Sequence, residues 1–174
     1  MQRPRWIPLA GLAFALCGCG PQAASPNRAD VAALGVTLPD IHGEAVSPTA
    51  EYPDDVVVLA FWATWCQPCQ QELSKMTGVY RAMQDRGLQM YAVSIDGPDT
   101  ASQVATWVQR EGYPFPVLLD RETQVLKRFN PRGEIPYYVV LDARGNVIRD
   151  HQGYMSGDVD ALSAFLDQVL REQG

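Results

Sequence analysis

Histidine and cysteine are scarce in this chain, and their scarcity limits the metal sites that it can hold. The 174 residues include two histidines, His42 and His151, and four cysteines. A structural zinc site takes four ligands, usually from a second CxxC pair or from a pair of neighbouring histidines. The sequence offers neither beside its one CxxC pair, so we expect no metal centre of this kind. We expect both histidines to be surface residues.

Basic residues are also too few to form a nucleic-acid-binding surface. The chain has 14 Lys and Arg against 20 Asp and Glu, a formal net charge of -6, and no run of Lys or Arg after its first few residues. Because binding to a phosphate backbone needs a basic face, we exclude nucleic acid as a partner. A length of 174 residues with 47% hydrophobic content suits one domain with a full core.

No apolar run near the N-terminus is long enough to cross a bilayer, yet the first residues have the pattern of an export signal. Two arginines precede an apolar run from Ile7 to Leu16, whereas a membrane-spanning helix needs about 20 apolar residues. The end of the run resembles a bacterial lipoprotein box, in which cleavage before Cys19 leaves that residue to carry lipid. Cys17 departs from the small residue that is usual there. We predict a lipoprotein-type signal peptide over residues 1–18, with an ordinary signal peptide or an uncleaved interfacial anchor as alternatives.

The signal peptide changes the number of cysteines that remain reactive. Residues 19–33 are small, polar and proline-bearing, which predicts a flexible tether, and we expect the folded domain to span residues 34–174. Cleavage would discard Cys17 and lipid would cap Cys19, so only Cys66 and Cys69 would remain as free thiols. Export would also place this pair in an environment where disulfides form and persist.

The rest of the chain alternates predicted strands and helices. A hairpin is expected around His42-Gly43, and "DDVVVLAFWA" is a continuous apolar run that is typical of a strand buried on both faces. An amphipathic helix from Cys66 to Gly87, a second buried strand and a helix that ends at Gly112 follow. A short strand, a brief helix, two strands around "DARGN" and a terminal amphipathic helix complete the pattern. It predicts an α/β fold in which helices flank a central mixed β-sheet.

The CxxC pair lies where the buried strand gives way to the helix. Unpaired N–H groups and the partial positive charge of a helix start stabilise an anion, and cysteines in such motifs have pKa values of roughly 3.5 to 7.5. We therefore predict that Cys66 is the exposed nucleophile and that Cys69, one turn later and more buried, resolves the mixed disulfide. Pro68 suits this first turn because its missing N–H costs no hydrogen bond.

The cysteine pair alone leaves other functions open. Two thiolates also bind Cu(I), because soft ligands suit that ion, so a copper-handling protein is one alternative. A peroxide-reducing enzyme of the related peroxiredoxin type is another. It is disfavoured because Ala63, and not a threonine, stands three residues before Cys66.

The stretch "VVVLAFWATWCQPC", together with a later Ile-Pro that opens a strand, resembles the thioredoxin superfamily. The leading "LPDIHGE" hairpin, an inserted strand-helix element and Glu72 resemble more specifically the TlpA/ResA-like membrane-tethered thiol-disulfide oxidoreductases, over about residues 34–170. The resemblance implies a thioredoxin fold and reduction of protein disulfides outside the cytoplasm, for example in cytochrome c maturation. It implies a membrane-embedded thiol electron donor and no cofactor. We expect a monomer on the periplasmic side of the cell envelope, held to a membrane by its N-terminal lipid.

The resemblance also carries site residues over to this chain. Pro136 matches the family's cis-proline opposite the CxxC, and the backbone of Ile135 would pair with a substrate strand there. Trp65 and Pro68 would form part of the substrate-docking surface, whereas Trp62 is expected in the core. The "Gln-Pro" between the thiols does not fix the direction of net electron flow.

Glu72 matches the active-site glutamate of these reductases. A buried carboxylate near the pair could take the proton of Cys69, provided that desolvation raises its pKa. The alternative is a solvated helix residue. Ala60 stands where thioredoxin has its buried aspartate, so no carboxylate at that position can do the same work.

Overall fold

A computed structural model of the chain describes residues 35–173. The predicted signal peptide, the tether and the lipid-bearing Cys19 lie outside the described residues. In chain order the elements are β1 (Leu38–Pro39), β2 (Ala45–Val46), α1 (Pro48–Glu51), β3 (Val56–Trp62), α2 (Gln67–Met83), β4 (Leu88–Ser94), α3 (Ala101–Glu111), β5 (Val117–Leu119), α4 (Gln124–Phe129), β6 (Tyr137–Leu141), β7 (Val147–Gln152) and α5 (Asp158–Gln173).

A five-stranded mixed sheet forms the centre of the fold, in the order β5-β4-β3-β6-β7. Strands β3, β4 and β5 run parallel, and β6 is antiparallel to both β3 and β7. All seven residues of β3 are buried. The unbroken apolar run at this strand follows from its position, since a middle strand with helices on both faces has no solvent-facing side. The predicted α/β fold with a central mixed sheet is confirmed.

Helix α2 leaves β3 after a short turn and carries the cysteine pair at its start. Its buried face includes Leu73, Met76, Tyr80 and Met83, at the three- and four-residue spacing that the sequence shows. A single 3-10 turn follows, and Gly87 ends the segment with a φ of 88°, a left-handed conformation that glycine adopts without steric cost.

The N-terminal hairpin predicted around His42-Gly43 is confirmed as the antiparallel pair β1–β2. The Asp40 carboxylate accepts hydrogen bonds from the backbone N–H groups of His42 and Glu44, at 2.7 and 2.9 Å, which fixes the turn. Asp40 also forms an isolated antiparallel bridge with Leu118 of β5. The hairpin therefore lies beside the outer edge of the main sheet.

Helix α5 closes the fold by packing against α2. It buries Val159, Leu162, Leu166 and Leu170, one apolar stripe along its length. The four-residue helix α1 was not anticipated from the sequence. No helix within residues 35–173 is both long and apolar enough to cross a membrane.

Candidate active site

The cysteine pair is oxidised and lies at the first turn of α2. Cys66 and Cys69 form a disulfide with their Cα atoms 5.3 Å apart. Cys66 is the residue that caps the helix, and its Sγ accepts a hydrogen bond from the backbone N–H of Cys69 at 3.3 Å. We expected Cys66 to be exposed, but in the disulfide form it is only 7% exposed, against 0% for Cys69. Only the Cys66 side is therefore open to an incoming thiol.

The turn before the disulfide is held by a buried carboxylate at the end of the neighbouring strand. Asp96, which is 1% exposed, accepts hydrogen bonds from the backbone N–H and the hydroxyl of Thr64 at 2.9 and 2.6 Å. It also accepts one from the Ser94 hydroxyl at 2.8 Å. The Gln70 side chain donates to the Thr64 carbonyl at 2.7 Å. These contacts fix the turn from both sides.

The Ile135–Pro136 peptide bond is cis and lies at the same edge of the sheet. Tyr137, the first residue of β6, pairs with Phe61 near the end of β3, so Pro136 lies beside the last residue of the strand that leads to the cysteines. Two groups donate hydrogen bonds to the Pro136 carbonyl: the backbone N–H of Gly153 at 2.8 Å and the Gln152 side chain at 3.0 Å.

Glu72 is buried on the face of α2 that also carries Cys69, three residues before it. The residue is 1% exposed, and its Oε1 has no hydrogen-bond partner within residues 35–173. Burial, and to a lesser extent the negative charge of Asp158, raises the pKa of Glu72 from the ordinary 4.5 to about 8. Burial therefore raises the pKa of Glu72, as the predicted role in accepting the Cys69 proton requires. The alternative, a solvated Glu72, is wrong.

The remaining predicted residues differ in their exposure. Trp65 is 63% exposed beside Cys66, Pro68 is exposed, and Ile135 is half-buried. Trp62 is fully buried, and its ring meets that of Tyr113 edge-on at 6.2 Å. Trp65 is thus the large apolar side chain that the site presents to solvent next to the disulfide.

A model of the AhpC/TSA family matches residues 30–150. The chain belongs to the AhpC/TSA family. "Thiol-disulfide oxidoreductase ResA" of Geobacillus thermodenitrificans (strain NG80-2) is 33% identical over 129 residues, which cover 71% of this chain and 72% of that protein. The protein of the same name from Halalkalibacterium halodurans is 29% identical over 145 residues, which cover 83% of this chain and 79% of that protein.

A solved structure is similar as well. The solution structure of an uncharacterized thioredoxin-like protein from Porphyromonas gingivalis is 30% identical, with a TM-score of 0.67 over 79% of this chain and 91% of that chain. The thioredoxin fold and the similarity to ResA-like proteins expected from the sequence are confirmed.

Two residues that hold the site of this AhpC/TSA-family chain in place, Asp96 and Gln152, were not predicted from the sequence. Asp96 and Gln152 have no motif of their own, and each acts on a segment more than ten residues away along the chain. Asp96 had one usable signal: a polar residue two positions after a buried parallel strand lies at the carboxyl edge of the sheet, where β3 also ends. His151, expected at the surface, is instead half-buried, with its ring 5.4 Å from that of Tyr138.

Proposed function

We propose that this thioredoxin-fold chain is an extracytoplasmic thiol-disulfide oxidoreductase that reduces disulfides in other proteins. The observation that carries the proposal is the bonded pair Cys66–Cys69 at a helix start, with Cys66 7% exposed and Cys69 fully buried. When the pair is reduced, the backbone N–H of Cys69 and the helix dipole stabilise a thiolate at Cys66. A metal centre or a bound cofactor is not needed for this chemistry.

The reaction proceeds in two exchanges. The Cys66 thiolate attacks one sulfur of the substrate disulfide, so that a Cys66–substrate S–S bond forms, and the displaced substrate thiolate takes up a proton. Cys69 then loses its proton and attacks Cys66 Sγ, which forms the Cys66–Cys69 disulfide and releases the second substrate thiolate for protonation. The substrate gains two electrons and two protons, and the protein ends in its oxidised form.

Glu72 is the group that we assign to the proton of Cys69. A pKa of about 8 for Glu72 lies close to the 8.5 of an ordinary thiol. Burial therefore brings the Glu72 carboxyl group closer to a thiol in basicity, as a proton acceptor for Cys69 requires. A carboxyl group at its usual pKa would be a much weaker base towards a thiol.

The groove for the substrate lies between the disulfide and the cis-proline. Because Pro136 accepts hydrogen bonds from Gly153 and Gln152 through its carbonyl, the segment before it is held in one position. The backbone of Ile135 is then available to pair with an extended substrate segment. The exposed ring of Trp65, the residue next to Cys66, supplies apolar contact area.

The cellular setting is proposed from the N-terminal sequence. A signal peptide over residues 1–18 and lipid on Cys19 would hold the domain, as a monomer, at a membrane on the periplasmic side of the envelope. A membrane-embedded thiol protein would return the two electrons to Cys66 and Cys69, and cytochrome c maturation is a task of matching chemistry. The full chain should incorporate labelled palmitate, and Cys19→Ala should not. Equal labelling of both chains would reject the anchor.

Trapping of mixed disulfides tests the central proposal. In Cys69→Ser the Cys66 thiolate still attacks, but the adduct with a disulfide protein such as insulin is not resolved, so it accumulates and is seen as a mass increase that dithiothreitol removes. Cys66→Ser is the matched control and should form no adduct. Equal adducts in both variants, or none in either, would overturn the assigned roles.

The same preparations separate the other functions. Stoichiometric Cu(I) on the reduced protein without insulin reduction would indicate a copper-handling protein. Consumption of hydrogen peroxide faster than of insulin disulfide would indicate a peroxidase.

A further inference from the structure

The turn that joins β3 to α2 is held by side chains from two different elements. It comprises residues 63–66 and ends at Cys66, the residue that caps α2. From α2, the Gln70 side chain donates a hydrogen bond to the Thr64 carbonyl at 2.7 Å. From the end of β4, the Asp96 carboxylate accepts hydrogen bonds from the backbone N–H and the hydroxyl of Thr64. Both sets of contacts therefore meet at Thr64, two positions before the nucleophilic sulfur.

Asp96 is itself fixed in position by its neighbours. It is buried, its Oδ2 accepts a hydrogen bond from the Ser94 hydroxyl, and its backbone N–H donates to the Ser94 oxygen at 3.1 Å. The N–H of Ile95 donates to the Trp62 carbonyl at 2.9 Å, so the end of β4 stays joined to the end of β3. Moving a buried carboxylate away from its donors costs free energy, because its oxygens lose their hydrogen bonds. Asp96 is therefore a fixed point against which the turn is held.

The hold on Thr64 matters most when the disulfide is open. In the oxidised chain, the S–S bond to Cys69 ties Cys66 to the helix. Reduction removes this tie, and the Cys66 sulfur then keeps the hydrogen bond from the Cys69 N–H only if the backbone before it stays in place. A hydrogen bond to a charged acceptor is stronger than one to a neutral acceptor, and it weakens when its angle is poor. The position of the turn therefore controls how well a Cys66 thiolate is stabilised.

We propose that Asp96 is a positioning residue of the dithiol site: through Thr64 it keeps the Cys66 sulfur at the first N–H groups of α2 after the disulfide has been reduced. Asp96 acts through the turn and takes no part in the exchange of sulfur bonds. The inference rests on the role of Cys66 as the nucleophile in the proposed function. Without the hold on Thr64 the turn would move, and the Cys66 thiol would ionise less readily.

Alkylation of Cys66 by iodoacetamide tests this inference without a protein substrate. The parent is the full chain with Cys69→Ser, and mass spectrometry of the peptide that contains Cys66 gives the alkylation rate at each pH. Thr64→Val removes the 2.6 Å hydrogen bond to Asp96 and keeps the shape of the side chain. The pH at which the rate is half-maximal should rise by about 0.5 units or more, because the thiolate is the form that reacts. At about pH 10, where even an ordinary thiol is ionised, the two rates should agree within about twofold.

Three further variants separate positioning from a general loss of stability. Thr64→Ser keeps the hydroxyl and should return the half-maximal pH to within about 0.2 units of the parent. Thr77→Val is the matched control, because it removes the hydrogen bond from the Thr77 hydroxyl to the Leu73 carbonyl, about three turns after Cys66. It should leave the half-maximal pH unchanged. Asp96→Ala removes both bonds to Thr64 and should produce a larger shift than Thr64→Val; if Asp96→Ala does not fold, the Thr64 variants decide the question.

The parent chain distinguishes failure of this inference from failure of the proposed function. If its half-maximal pH is that of an ordinary thiol, about 8.5, the activated nucleophile of the proposed function is wrong, and the inference with it. If the parent value is lower but Thr64→Val does not change it, only the role of Asp96 is overturned. Equal shifts in Thr64→Val and Thr77→Val would also overturn that role, because a general loss of stability would then explain both.

Discussion

Replacing Glu72 with glutamine should remove most of the pH dependence of stability between pH 5 and pH 8. The folded chain holds the Glu72 proton with a pKa of about 8, whereas the ordinary value of 4.5 applies once the chain unfolds. Because the folded-state pKa is the higher one, the stabilising contribution is complete below about pH 4.5 and is lost as the pH rises through 8. Each pKa unit corresponds to about 1.4 kcal/mol, so the wild-type chain should lose roughly 3 to 4 kcal/mol over this interval.

The difference between the wild-type and Glu72→Gln stability profiles reports the contribution of Glu72. Its buried amide costs about 1 to 3 kcal/mol in unmade hydrogen bonds, but that cost is the same at each pH. With the disulfide intact, neither Cys66 nor Cys69 titrates, so the thiols do not contribute to the difference between the two profiles. Compared with a total stability of about 5 to 15 kcal/mol for a domain, the predicted change is large enough to measure.

Urea denaturation of the oxidised protein at half-unit steps from pH 5 to pH 8 measures the effect. The free energy of unfolding of Glu72→Gln should change little with pH, whereas that of the wild type should fall by about 1 kcal/mol per pH unit above pH 5. The wild type should therefore be the more stable chain at pH 5, and the two curves should approach each other and cross before pH 8. Glu172→Gln removes an exposed carboxylate of α5 and should follow the wild type. Parallel curves for the wild type and Glu72→Gln would refute the argument that burial has raised this pKa.

Three further substitutions test residues around the disulfide and the cis-proline. Trp65→Ser should raise the KM for insulin at least fivefold and shift unfolding by less than about 0.5 kcal/mol, because the ring is 63% exposed; an unaltered KM contradicts a docking role. Thr64→Val removes the 2.6 Å bond to Asp96 and should cost about 1.5 to 3 kcal/mol in urea denaturation; a smaller loss means that the turn does not depend on it. Gln152→Leu leaves the Pro136 carbonyl one donor and should slow insulin reduction at a stability cost of about 1 kcal/mol; a normal rate would show that the Gly153 N–H suffices.

The elements that the sequence predicted well are those whose signals are local. Strand β3 and helix α2 follow from an unbroken apolar run and a helical repeat, and the reversal between β1 and β2 follows from His42-Gly43. The cysteine pair could be placed at the junction because its neighbours define both elements. Glu72 was singled out by its match to the family's active-site glutamate, and its spacing alone left a solvated helix residue as the alternative.

The interactions that the sequence did not predict join distant parts of the chain. Asp96 reaches Thr64 over 32 positions, and Gln152 reaches the Pro136 carbonyl over 16. No periodicity encodes such pairs, because they arise only when the strands are in register and α5 packs against α2. The prediction that His151 lies at the surface was wrong for the same reason. Alternation along β7 shows which face of the sheet the side chain is on, but its contact with Asp158 depends on where the following helix begins.

The bridge between Asp40 and Leu118 places the N-terminal hairpin against an edge strand of the main sheet. Strand β5 is three residues long and ends the sheet on one side, and an uncovered sheet margin offers unpaired amides to any passing chain. The small N-terminal hairpin occupies part of that margin. Cleavage just after Val46 would therefore leave the cysteine pair intact but expose β5, and the cleaved domain would be prone to aggregate through that edge strand.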